Sequence, residues 1–148
     1  MLIRVSQRTE DDCTVAVVAT VMGPSYTYER VLADRCHYRL FNKDGSFSAW
    51  WETYLWESGY PNDYRPVAQL RQLVRSGTVI GILMLAPQVT GHHGHVVAVD
   101  EYGFINPSTG WPDRIGSLNE LIQECRRLGH DYRPERDFLA VDVARASV

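Results

Sequence analysis

The chain lacks any long run of basic residues. Its 15 lysines and arginines stand against 18 aspartates and glutamates, a formal net charge of −3 at pH 7. A phosphate backbone finds no matching surface, so no nucleic acid partner is expected. No apolar stretch approaches the length of a membrane span, so none is expected. The opening residues MLIRVSQRTEDD lack the apolar core and the small-residue cleavage site of a signal peptide. With Met1 in place, the chain is expected to be cytoplasmic. Cysteine is scarce: Cys13, Cys36 and Cys125 are odd in number and widely spaced. That pattern is neither a disulfide framework nor a zinc knuckle, and in a reducing compartment all three are thiols. Repeats, low-complexity segments and linkers are missing too. What remains is 148 residues, 45% hydrophobic and 22% charged, which suits one globular domain over 1–148 with a real core.

The densest apolar stretch is CTVAVVATVM at 13–22. Asp11 and Asp12 precede it, and Asp12 is a favourable N-cap. Gly23 and Pro24 follow as stop signals. The β-branched residues also permit a strand, but the cap and stop favour a buried helix beginning at Cys13. A thiol in the first helical turn meets the positive end of the helix dipole and unpaired N–H groups, which stabilise thiolate. Cys13 also reads as one more buried apolar residue, and a nearby histidine decides between the two.

Along the chain, Leu2 to Val5 suggests a short strand. Ser25 to Ala33 reads as a helix capped by Ser25, and Asp34 to Gly45 as a loop in which Cys36 and His37 are structural. Ser46 to Gly59 has aromatic and apolar residues at helical spacing, with its tryptophans in the core. Pro66 to Ser76 is a third amphipathic helix. Thr78 to Ala86 is a continuous apolar run, hence a central strand. The loop from Pro87 leads into His95 and the strand VVAVD. Glu101 and Tyr102 form a turn, and Phe104 begins a return strand. Ser108 to Gly116 is loop, Ser117 to Leu128 a helix with a Ser117–Glu120 capping box, and Phe138 to Val143 a last strand. Helices followed by a mostly antiparallel sheet define an α+β fold, N-terminal helices packed on a C-terminal sheet.

A cysteine hydrolase needs a thiol, an imidazole, a group that orients the imidazole, and donors for the oxyanion. Cys13 is the candidate nucleophile and His95, at the mouth of a strand, the candidate base. A two-residue turn at Glu101–Tyr102 sets Asn106 opposite Val97, on the face of His95 and diagonal to it. A three-residue turn would put Asn106 on the wrong face unless a bulge intervened. Gln7 offers a side-chain amide beside the Cys13 backbone N–H.

Gln7, Asp12-Cys13 opening an apolar helix, Gly94-His95-Val96-Val97 entering a strand and Asn106-Pro107 together resemble a papain-like cysteine peptidase. More narrowly, the pattern resembles the bacteriocin-processing peptidases that cut double-glycine leader peptides. The resemblance runs through about residues 5 to 125 in order and spacing. It implies a papain-like fold in which Cys13 attacks, His95 is base and then acid, Asn106 orients His95, and Gln7 helps form the oxyanion hole. A peptide or protein substrate follows, with no cofactor. Two positions depart from the family. Thr14 stands where glycine is usual and adds bulk beside the sulfur. Asn106 stands where aspartate is usual and stabilises imidazolium less.

Three other readings compete. His92, His93 and His95 with Cys13 or Asp100 suggest a metal site, but strand alternation lets only 93 and 95 share a face, too few ligands for structural zinc. A peptidase scaffold that grips a peptide without cutting it is the second; full biological activity of Cys13→Ala would mark it. Amidases, isopeptidases and acyl transferases share the same three groups and form the third.

Overall fold

The computed structural model describes residues 2–9, 12–38, 50–88, 94–108, 112 and 114–143. The chain begins with three helices: α1 (Cys13–Met22), α2 (Tyr28–Arg35) and α3 (Trp50–Glu57). Strand β1 (Asn62–Pro66) follows, then a 3-10 turn (Val67–Gln69), α4 (Leu70–Val74), β2 (Val79–Pro87), β3 (His95–Asp100), β4 (Gly103–Ile105), α5 (Leu118–Arg127), β5 (Tyr132–Pro134) and β6 (Asp137–Asp142).

Helix α1 starts at Cys13, and every residue in it except Thr14 is buried. Gly23 ends it with φ 86° and donates its N–H to the Ala19 carbonyl at 3.2 Å. Asp12 occupies the N-cap position without capping. Its carboxylate instead accepts the N–H of Thr9 at 3.0 Å and of Arg8 at 3.4 Å, holding the loop that carries Gln7. Helix α2 begins later than expected because Thr27, not Ser25, supplies the cap: its hydroxyl accepts the Arg30 N–H. Residues 46–49 of the expected tryptophan helix, Asp11, and 39–45 of the expected loop lie outside the described residues. Leu2 to Val5 forms no ladder. Leu2 donates its N–H to Asp100 Oδ2 and Val5 to Thr20 Oγ1, so side chains take the place of a strand partner.

The sheet runs β1–β6–β2–β3–β4, with β5 also on β2, and every pairing is antiparallel. Strand β2 is apolar on both faces because both are covered. Ile80, Ile82, Val96, Ala98, Leu139 and Val141 face α1, α2 and α3. Leu83, Leu85, Val97, Val99, Phe138 and Ala140 pack with α4 and α5. The α+β class therefore stands, but helices cover both faces of the sheet, whereas the expected arrangement put N-terminal helices on it. The segment expected as a third amphipathic helix, Pro66 to Ser76, instead divides: Pro66 ends β1, and only Leu70 to Val74 is α-helical. Among the described residues, no helix is long and apolar enough to cross a membrane.

The turn between β3 and β4 fixes register. The pairs Asp100↔Gly103, Val99↔Phe104 and Ala98↔Ile105 leave Glu101 and Tyr102 as the two loop residues. Neither has positive φ, so this is not the mirror-image turn usual in tight hairpins. Asp100 Oδ1 accepts the Tyr102 N–H at 2.9 Å, and Gly103 takes up the mismatch with φ 134°. A Cβ at Gly103 would lie 2.5 Å from the Ile115 carbonyl oxygen, so only glycine fits without displacement.

Candidate active site

Continuing the β3–β4 pairing by one residue sets Asn106 opposite Val97, two residues along from His95 on the same face. The side chains meet: His95 Nε2 lies 2.8 Å from Asn106 Oδ1. The Asn106 oxygen also accepts the Ser108 backbone N–H at 3.0 Å, which identifies it as the oxygen of the amide. His95 Nε2 must then carry the hydrogen, and Nδ1 keeps its lone pair; this tautomer is assigned from the network. Asn106 is completely buried, and its Nδ2 has no hydrogen-bond partner among the described residues.

The sulfur approaches from the other layer. Helix α1 packs on the face of Val96 and Ala98, while alternation puts His95 on the face of Val97 and Val99. Cys13 lies by the start of β3: the backbone amides of Val96, Thr14 and Cys13 itself favour its thiolate electrostatically. Among the described residues no hydrogen bond directly links Cys13 to His95. Cys13 on α1 is thus placed beside Val96, the residue that follows His95 in β3.

Protonation runs against the expectation of a preformed thiolate. Burial lifts the Cys13 thiol above its ordinary range, the three amides pull the other way, and the Asp12 carboxylate adds to the lift. With the residue only 8% exposed, desolvation outweighs the helix N-terminus, whose effect is at most about 2 kcal/mol. Burial also holds the His95 imidazole below its ordinary value, partly offset by the Asn106 hydrogen bond and reinforced by His130. The resting pair is thiol and neutral imidazole.

Gln7 reaches the site by its main chain. Its N–H donates to the Pro107 carbonyl at 2.9 Å, pinning the loop before α1 to the residue after Asn106. Its side-chain Nε2 donates to the Thr9 carbonyl at 2.9 Å, and its Oε1 accepts the Ser108 hydroxyl at 3.2 Å. One of its two amide hydrogens is thus spent within its own loop. Ser108 is a residue the sequence reading passed over as loop. Its hydroxyl, 3.5 Å from His95 Nε2, joins Gln7 to the histidine, and its N–H fixes the Asn106 amide. The Asn-Pro-Ser spacing, with an Asn oxygen reaching the N–H two residues on, was the available signal.

His92 and His93 lie outside the described residues. Among the described residues no group of three His, Cys, Asp or Glu side chains gathers to hold a metal. Asp100 is otherwise engaged, bound to Arg114 and the Leu2 N–H. Cys36 is exposed and its thiol meets the Ala33 carbonyl, while Cys125 is buried in α5. A cavity of about 580 Å³ lies elsewhere, between α4, the β3–β4 turn and the start of α5, bordered by Arg71, Arg75 and Tyr102. No protein-family model matches the chain, and no curated protein or solved structure matches it either.

Proposed function

We propose that the chain is a papain-like cysteine hydrolase that cleaves a peptide or amide bond through Cys13. The observation that carries this reading is the 2.8 Å His95–Asn106 hydrogen bond. It holds the imidazole at the first residue of β3, and the amide of the next residue, Val96, favours the thiolate of Cys13 at the start of a buried helix. In the proposed cycle, His95 Nδ1 takes the Cys13 proton as sulfur attacks the carbonyl carbon. The oxyanion is met by the Cys13 backbone N–H, which at the first residue of α1 has no intrahelical partner, with the remaining Gln7 amide hydrogen as second donor. His95 returns the proton to the departing amine. It then draws a proton from the water that attacks the thioester, and hands that proton to the sulfur as the acyl group leaves as the acid, restoring thiol and neutral imidazole. Burial of the pair makes proton transfer part of the attack rather than a step completed beforehand.

The test is a peptide-derived electrophile that acylates or alkylates thiols, read by intact-mass and peptide mapping. A single adduct on Cys13, missing in Cys13→Ala and much slower in His95→Ala, supports the hydrolase. Labelling confined to Cys36 refutes it.

Three observations favour a second reading. The raised thiol, the bulk of Thr14 and the engaged Gln7 amide suit a scaffold that binds a peptide without cutting it. In that case Cys13→Ala keeps full peptide binding and full biological activity.

A further inference from the structure

Asn106 holds one nitrogen of the His95 ring, but a single hydrogen bond tolerates a wide range of ring planes. A second neighbour restricts the plane. Tyr132 of β5 lies almost parallel to the His95 ring, with centroids 6.0 Å apart and planes 14° apart. His130 in turn stacks on Tyr132 at 5.7 Å and 5°, so three rings run nearly parallel from the buried site to the exposed His130. The sheet imposes this arrangement. Leu85 of β2 pairs with His95 on one side and with Pro134 on the other. Tyr132 is two residues from Pro134 and shares its face, diagonal to His95 across one strand. Its main chain is fixed by pairing with Pro87, and the next bond along joins the Gln88 N–H to the Asp131 carbonyl at 3.0 Å. Burial raises the Tyr132 phenol, and the Cys125 and then the Cys13 sulfur add to the lift electrostatically.

We propose that Tyr132 is the positioning residue for the His95 imidazole, with His130 as its outer plate. The proposal deepens the hydrolase reading and rests on it. Tyr132 holds the ring plane in which Nε2 stays on Asn106 and Nδ1 stays free to take the Cys13 proton. It also walls one side of the ring from water, consistent with an imidazole kept neutral. The groups that face His95 are Asn106 and Ser108 after β4, Tyr132 from β5 and, behind it, His130 from the turn before β5; β2 offers Leu85. Of these, His130 is the group that acts on the His95 ring electrostatically, holding its titration down. Asp131 beside it is engaged by Arg126 and Gln88.

The test compares Tyr132→Phe, Tyr132→Leu and His130→Ala in the full chain. Two readouts apply: the pH profile of Cys13 alkylation by iodoacetamide, and the titration of the His95 ring by NMR. Tyr132→Leu keeps apolar bulk but loses the ring. It is expected to slow Cys13 alkylation about tenfold, the scale of a modest misalignment, and to move the His95 titration to higher pH. Tyr132→Phe restores both to the wild-type pattern. His130→Ala, at an exposed position, moves the His95 titration the same way and keeps the proposal testable if Tyr132→Leu does not fold. An unchanged His95 titration in both Leu and Ala variants overturns the proposal. So does Tyr132→Phe losing as much as Tyr132→Leu, which would assign the effect to the hydroxyl. The NMR titration separates this from the hydrolase reading. If His95→Ala leaves Cys13 alkylation unchanged, the hydrolase fails while the ring titration still reports what Tyr132 does.

Discussion

Asn106→Asp probes the centre of the site with a change of one atom. The Asn106 oxygen already accepts from His95 Nε2 and from the Ser108 N–H. Those contacts survive in a carboxylate. The second oxygen replaces Nδ2, a buried donor without a partner among the described residues. That exchanges one unpaired buried polar group for another, charged one, at a cost in stability, and puts a buried negative charge at hydrogen-bond distance from the imidazole. An opposite charge this close shifts a titration by about 1–3 pH units. The shift is upward for histidine, because its charged form is the one stabilised. Each pH unit is a factor of 10 in the imidazolium population, and imidazolium beside sulfur favours thiolate. Asn106→Asp is therefore expected to raise the His95 midpoint by at least about one pH unit and to speed Cys13 alkylation at pH 6 by about tenfold. Asn106→Ala moves the other way. It strips the acceptor that now favours His95 protonation and leaves Nε2–H and the Ser108 N–H unpaired. The assay is ring NMR of His95 with iodoacetamide kinetics followed by mass spectrometry. A His95 midpoint that is the same in Asn, Asp and Ala variants refutes the reasoning.

Two more consequences concern stability. His95 has its folded value below the ordinary one, so as pH falls below about 6.5 the unfolded chain takes the proton first and stability drops until the folded ring protonates. Cys13 is raised, so as pH climbs past about 8.5 the unfolded thiol ionises first and stability drops again, with Cys125, pushed up to about 11 by burial, adding to the loss. Urea midpoints from pH 5 to 10 should peak between those limits, with the acid limb shallower in His95→Ala; an identical acid limb contradicts the His95 assignment. Gly103→Ala forces a Cβ against the Ile115 carbonyl at φ 134° and is expected to cost about 3 kcal/mol, seen as a lower urea midpoint at unchanged m. A loss below about 0.5 kcal/mol would show that the turn adapts and that register at Asn106 does not depend on it.

Much of the local structure is legible because it is set by near neighbours. Gly23 and Pro24 end α1, Val79 to Ala86 is apolar enough for a strand covered on both faces, and the Glu101–Tyr102 turn fixes where Asn106 falls. The features that escape are those decided at long range. Asp12 looks like a cap, yet the Thr9 and Arg8 amides take its carboxylate. At Cys13 the helix dipole favours thiolate locally and loses to burial by α1's own neighbours and β3. Strand β1 is polar, with Asp63, Tyr64 and Arg65 exposed, and it forms because β6 offers an edge. Strand β5, with Pro134 and charged neighbours, carries no strand pattern, and so Tyr132 drew no notice although its ring ends up on His95.

The meeting of sulfur and imidazole is tested most directly by iodoacetamide alkylation of Cys13, Cys36 and Cys125 resolved by peptide mass at pH 7. The comparison is between the wild-type chain and His95→Ala. If His95 serves as base, its removal slows Cys13 by at least about a hundredfold, the lower end of general-base contributions, and leaves Cys36 unchanged. Equal Cys13 rates with and without the histidine would contradict the account.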